Sequence, residues 1–184
     1  MVTSNPNKAT EVAEFFGGLL DVCHVPLDIP ELRSDDVAEI SRQKAQYAFD
    51  HLLTPLIVDD TSFSIDALNG FPGPYAAYVL HSIGNEGILK IMKDVKNRNA
   101  HFTTVIAFAD EHGVRAFPGT IHGRIITVPR GREGLGMIGS LRWVGGHLQN
   151  SRSKRKAEFL TVRWRLLHSG TGSRKNSDHC DTNG

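Results

Sequence analysis

The chain has 184 residues, 40% apolar and 22% charged, with a net charge of +1. Those values fit one globular domain, with room for two small lobes, and exclude whole-chain disorder and collagen-like repeats. No apolar run approaches the roughly 18 residues of a membrane span, and Met1 to Lys8 lacks the apolar segment of a secretory leader. Two widely separated cysteines, Cys23 and Cys180, fit a reducing cytoplasm better than a disulfide framework.

In chain order, Asn5-Pro6 reads as a helix start, with Asn at the cap and Pro at the first helical position. Val12, Phe15, Phe16 and Leu19 follow at helical spacing, and Gly17-Gly18 marks the exit. Ser34-Asp35-Asp36 opens a second helix that runs to about His51. Leu56-Ile57-Val58 reads as a short buried strand that ends in Asp59-Asp60. Asn69 to Pro74 is a rigid, turn-rich loop. Ile88, Ile91, Met92 and Val95 mark a third helix. Phe102 to Ala109, Val114 to Phe117 and Ile121 to Val128 read as three strands. Helices alternating with strands place the chain in the α/β class.

Charge is unevenly spread. Residues 1–136 hold 12 Lys/Arg and 17 Asp/Glu, a net of −5; residues 137–184 hold 9 and 3, a net of +6. The hydrophobic grammar also weakens after Gly136, and residues 169–184 have the polar composition of a disordered end.

Several residues could carry chemistry. Asp59-Asp60 lies at an apparent strand end, where α/β folds place their sites, though the pair alone equally suits a turn or a helix cap. Strand neighbours point to opposite faces, so one of the two carboxylates should face a given cleft. Thr3-Ser4-Asn5-Pro6-Asn7-Lys8 opens a helix whose free N–H groups suit phosphate, with Lys8 one turn in as a point charge; an ordinary cap with a solvated lysine is the plainer reading. Glu31, in a Pro-flanked stretch, could join Asp60 as a hard oxygen ligand for Mg²⁺, although a lone loop glutamate is usually solvated. The adjacent pairs Cys23-His24 and His179-Cys180 have poor geometry for zinc. The chain contains no P-loop and no dinucleotide-binding glycine motif.

Together these segments resemble the inosine triphosphate pyrophosphatase family, the XTP/dITP diphosphatases. The family's T-G-N-x-x-K opening is matched by Thr3 to Lys8, with Ser4 in the glycine slot. Asp28 to Glu31 resembles its D-x-x-E segment, Lys44 its helix lysine, and Asp59-Asp60-Thr61-Ser62-Phe63 its D-D-S-G-L segment. Ala67 to Tyr75 matches A-L-N-G-x-P-G-x-Y almost fully. Gly119 and Gly123 match a later G-x-x-x-G, and Gly134-Leu135-Gly136 the start of G-F-G-Y-D-P-I-F. The resemblance covers residues 2–136.

It implies a two-lobed mixed β-sheet flanked by helices, with a nucleotide cleft between the lobes. It implies Mg²⁺-dependent cleavage of ITP, dITP and XTP to monophosphate and pyrophosphate by a cytoplasmic homodimer. Asp60 is then the expected general base and a metal ligand, with Glu31 the second ligand. Thr3, Ser4, Asn5, Lys8, Lys44, Thr61 and Ser62 are the expected substrate-binding residues, Ser62 shaping the cleft together with the Gly70–Gly73 loop.

Past Gly136 the family continues with Y-D-P-I-F, T-F-A-E-[LM] and E-K-N-x-I-S-H-R, and none of these stands in this chain. A frame set back by one nucleotide can encode near-matches to all three. Met137-Ile138 forces an Asp codon in that frame whatever the synonymous choice, and Gly136 onward can read G-Y-D-R-I-F. Gly146 to Ser151 can read T-F-A-E-L, and Lys154 to Val162 can read E-K-S-R-I-S-H-R. The expected organisation is therefore a pyrophosphatase-like domain over 1–136 and a frame-shifted basic tail over 137–184, with impaired activity. Two other readings stay open: a nucleotide-binding pseudoenzyme that keeps Asn5, Lys8 and Asp60, and a nucleic-acid binder using Arg152 to Lys156 and Arg163 to Arg165 beside Trp143 and Trp164. The last is disfavoured, because charge runs are usually solvated.

Overall fold

A computed structural model describes residues 1–3, 6–16, 22–30, 32–126 and 141–143. Helix α1 spans Pro6–Phe16 and α2 spans Val37–Leu52. Strand β1 (Leu56–Ile65) is followed by a 3₁₀ turn (Asp66–Leu68) and the short β2 (Pro72–Gly73). Helix α3 (Ala76–Ile91) precedes β3 (Asn99–Asp110), β4 (Gly113–Ile125) and β5 (Leu141–Trp143). No helix among the described residues is long and apolar enough to cross a membrane.

The start of α2 follows from its sequence. Asp36 caps it by accepting the Ala38 N–H at 2.8 Å, and Ser34 ties Asp36 N–H to the Glu39 carboxylate. Its buried stripe is Val37, Ile40, Ser41, Ala45 and Ala48, and the small alanines let the helix lie close to the sheet. Leu53 ends it in the left-handed region, with its N–H on Phe49 O.

The sheet has five strands in the order β2-β1-β3-β4-β5, and all its ladders are antiparallel. A parallel component comes from the isolated bridge between Val2 and Val25, while Val2 N–H donates to Ile57 O at the edge of β1. Three elements depart from the sequence expectation. First, β1 does not end at Asp59-Asp60 but runs ten residues to Ile65, paired with β3 from Leu56↔Ala109 to Ile65↔Ala100. The polar run Thr61, Ser62, Ser64 looks like a turn, yet it alternates with buried Phe63 and Ile65 at the strand period. Second, α3 begins at Ala76 and stops before Met92 and Val95, with Gly84 (φ 63°) breaking its regular course. Tyr78 and Ile83 are exposed on its first half, which blurs the helical period there. Third, β4 is one strand through Pro118-Gly119, not two. Among the described residues Pro118 stands where β4 has no pairing with β5, so its missing N–H breaks no ladder there. The expected strand residues 127–128 lie outside the described residues.

Alternation divides the sheet into two working faces. On one face α1 covers Met1, Ile106 and Phe117 through Ala9 and Val12. Further along, α3 and the residue that follows it cover Phe63, Ile65, Ala100 and Ile125 through Val79, Ile88 and Met92. Between these apolar clusters lies a polar band of Asp59, Thr61 and Thr104, which is where a cleft between two lobes would fall. The opposite face packs Leu56, Val58, Ala107 and Ala109 against Ala45 and Ala48 of α2. Burial of each large side chain contributes about 1.5–3 kcal/mol. Arg98 fastens the end of α3 to β4 by donating to Met92 O, Ile125 O and Ile126 O at 2.7–3.2 Å.

Candidate active site

One edge of β1 is paired with β3 along its whole length. The other edge meets Val2 at Ile57 and β2 at Phe63–Ser64. Between them residues 59–62 have no strand partner on that edge among the described residues. This notch lies between the Val2 contact and the turn-rich loop that ends in β2. Gly70 (φ 89°) and Gly73 (φ 61°) give that loop its left-handed turns, and Phe71-Pro72 is a cis peptide.

Consecutive aspartates sit in the notch and leave it on opposite faces. Asp59 points toward α1, where Lys8 Nζ lies 3.0 and 3.1 Å from its two carboxylate oxygens. The Asp59 side chain is only 7% exposed, so Lys8 supplies the counter-charge that such burial demands. Asp60 points toward α2. Lys44 Nζ is 2.5 Å from its Oδ1, and Ser41 Oγ donates to its Oδ2 at 3.0 Å. Ser41 is fully buried, with Val105 O a further 3.4 Å acceptor. Each charge-assisted contact is stronger than a neutral one, and together they fix the plane of the Asp60 carboxylate.

The sequence expectations fare as follows. Lys44 and Asp60 come together directly. Lys8 meets Asp59, not Asp60, because strand alternation sends the neighbours apart. Thr61 lies on the polar band and shares a 2.9 Å hydroxyl contact with Thr104. Ser62 is buried and its hydroxyl reaches Thr103 O at 3.5 Å. Thr3 adjoins the notch, its carbonyl 2.8 Å from His24 Nε2. Ser4, Asn5 and Glu31 lie outside the described residues.

Two participants were not singled out from sequence. Asp59 was visible only as half of a pair. Ser41 stands three residues before Lys44, one helical turn away on the same face, and that spacing was the available signal. Ser41→Ala is expected to cost about 1.5–3 kcal/mol, the worth of a hydrogen bond to a charged group. Urea unfolding measures it, and an unchanged midpoint would show that the hydroxyl contributes nothing.

The model of the Ham1 family matches residues 1–137. A protein of Methanopyrus kandleri named dITP/XTP pyrophosphatase is 45% identical over 131 residues, covering 71% of this chain and 69% of the relative. One of the same name from Korarchaeum cryptofilum is 34% identical over 173 residues, 94% of this chain and 90% of the relative. The Ham1 protein structure from Staphylococcus aureus superposes with a TM-score of 0.71 at 22% identity, over 90% of this chain and 98% of that one, a likeness of fold. A shared fold, a family pattern over residues 1–137 and identities of this size have one meaning: the chain belongs to the Ham1 family.

Proposed function

We propose that the chain hydrolyses non-standard purine nucleoside triphosphates (dITP, ITP and XTP) to the monophosphate and pyrophosphate, clearing them from the nucleotide pool. The observation that carries this reading is the pair of lysine–aspartate couples, Lys8–Asp59 and Lys44–Asp60, one on each face of a strand edge that has no strand partner among the described residues. The names of the archaeal relatives support the substrate class. A triphosphate needs cations to hold it and a carboxylate to manage the attacking water, and the notch offers both. Lys8 and Lys44 hold phosphate oxygens, and the amides at the start of α1 add to the anion site.

Asp60 accepts a proton from the attacking water as the new oxygen–phosphorus bond forms at the α-phosphate. The bond to the bridging oxygen breaks and pyrophosphate leaves. Each carboxylate oxygen has two lone pairs, so Asp60 can serve while Lys44 and Ser41 hold it. The donor chemistry also suits a hard cation: Asp60 with Glu31 would hold Mg²⁺ through oxygen, and the bound ion would neutralise charge on the triphosphate. The resemblance alone extends this reading to a cytoplasmic homodimer.

Pyrophosphate release from XTP, dITP and dATP, with Mg²⁺ and with Asp60→Asn as control, tests the reading. Release is expected to favour XTP and dITP. Equal release from dATP would refute the substrate class, and no release from the wild-type chain would refute the activity.

The reading of residues 137–184 as a shifted frame is part of the proposal. The family model's end at residue 137 supports it, as do the three motifs recovered in the other frame. The Korarchaeum match, which runs past that residue, weighs against it. Uncovered apolar side chains would forfeit about 1.5–3 kcal/mol each, so a frame-restored chain is expected to melt higher and turn over faster. The bases around codon 136 decide: if they cannot encode Tyr-Asp and Ser-His-Arg in the shifted frame, the reading fails.

A further inference from the structure

Beyond the reach of α2, the face it covers turns polar. Ser64, His101, Thr103, Thr120 and His122 follow one another there, none fully buried. None belongs to the notch or has a role in the proposed reaction. Among the described residues no group of three or more His, Cys, Asp or Glu side chains is placed to hold a metal. One pair of histidines stands side by side there across two strands.

His101 and His122 are direct cross-strand partners on β3 and β4, so both imidazoles leave the same face. Their ring centroids are 5.5 Å apart and the rings are tilted by 43°. A tetrahedral ion bound at about 2.0–2.1 Å to one nitrogen of each ring would set the centroids about 5.2 Å apart. The observed spacing is therefore close to that of a chelate without movement of either strand. Behind His101, Asp66 Oδ1 lies 3.5 Å from Nδ1. A carboxylate on that nitrogen leaves Nε2 as the ligating atom, the arrangement that orients metal-bound histidines elsewhere. Both imidazoles reach solvent.

We propose that His101 and His122 form a two-histidine site for a borderline transition metal such as Zn²⁺ or Ni²⁺, with Asp66 as outer carboxylate and water completing the shell. Imidazole nitrogen selects this class of ion, whereas Mg²⁺ requires oxygen donors. The site is separate from the nucleotide notch and does not rest on the proposed activity. Bound metal joins β3 to β4 by side chains as well as by backbone.

Zn²⁺ titration of the full chain by calorimetry in excess Mg²⁺, with the imidazole signals followed by NMR, tests it. The expected result is one Zn²⁺ event that shifts His101 and His122. His101→Gln and His122→Gln should each weaken it at least tenfold, and Asp66→Asn should weaken it about tenfold. Thermal melts of the variants confirm that the fold is kept, since both histidines are solvent-accessible. Equal Zn²⁺ affinity in wild type and both histidine variants, or shifts confined to other histidines, would overturn the proposal.

Discussion

Asp60→Asn is expected to lower kcat/KM for pyrophosphate release at least about a thousandfold, since a positioned base alone is worth about 10²–10⁴ and the variant also loses a charge that would hold the metal. The change is nearly isosteric, so the fall would be chemical. An amide cannot accept the proton, and its NH₂ group would have to face either the Lys44 ammonium or the Ser41 hydroxyl that now donate to the carboxylate. Lys44 would then lack its charged partner, though its partial exposure lets water take over part of that role. Stability should therefore change far less than rate. Initial rates with dITP and a thermal melt on the same preparation separate the two. Retention of a tenth or more of wild-type kcat/KM would remove Asp60 from the role of base.

How far the sequence discloses this arrangement depends on which interactions are local. Helix α2 was legible because its cap, Asp36, and its stop near Leu52 are decided within a few residues. The notch was only half legible. Asp59-Asp60 was visible as a chemical pair, and alternation already required the two to part. What hid the geometry was the length of β1: Thr61 to Ser64 has turn composition, and it is held extended by β3, about forty residues away, as Thr61↔Thr104 shows. Without β3 no local rule continues the strand, and without the strand Asp60 looks like a terminus when it is an interior residue. Pro118-Gly119 misled in the same way, because punctuation that breaks most strands is tolerated where β4 lacks a pairing to β5. The assignment of Lys8 to Asp59 needed both results. It depends on the face α1 occupies, which follows from Ala9 and Val12 meeting Ile106 and Phe117 across the sheet.

That assignment leads to the second large effect. Asp59 is the buried member of its pair and Lys8 the more exposed one, at 7% and 30% of their side chains. Removing one partner of a buried pair costs about 3–5 kcal/mol because the other charge is stranded. The cost should be unequal here. Lys8→Met strands a carboxylate that scarcely reaches water and should approach that range. Asp59→Asn strands an ammonium that can turn outward, and should cost clearly less. The double variant strands no charge, so it should be more stable than Lys8→Met alone, a non-additivity that urea unfolding of the four proteins reads directly. Function should follow the same coupling. With Asp59 in place the Lys8 ammonium is held in one orientation by both Asp59 carboxylate oxygens and by the Asp59 carbonyl at 3.5 Å. Freed by Asp59→Asn it loses that orientation, so KM for dITP should rise about tenfold with kcat little changed, the signature of uniform binding lost. In the Lys8→Met background Asp59→Asn should then leave KM unchanged, because the residue acts through the lysine. Equal rises in KM in both backgrounds would mean that Asp59 meets the substrate itself, and a melt lowered most by Asp59→Asn would mean that burial at this pair does not set its energetics.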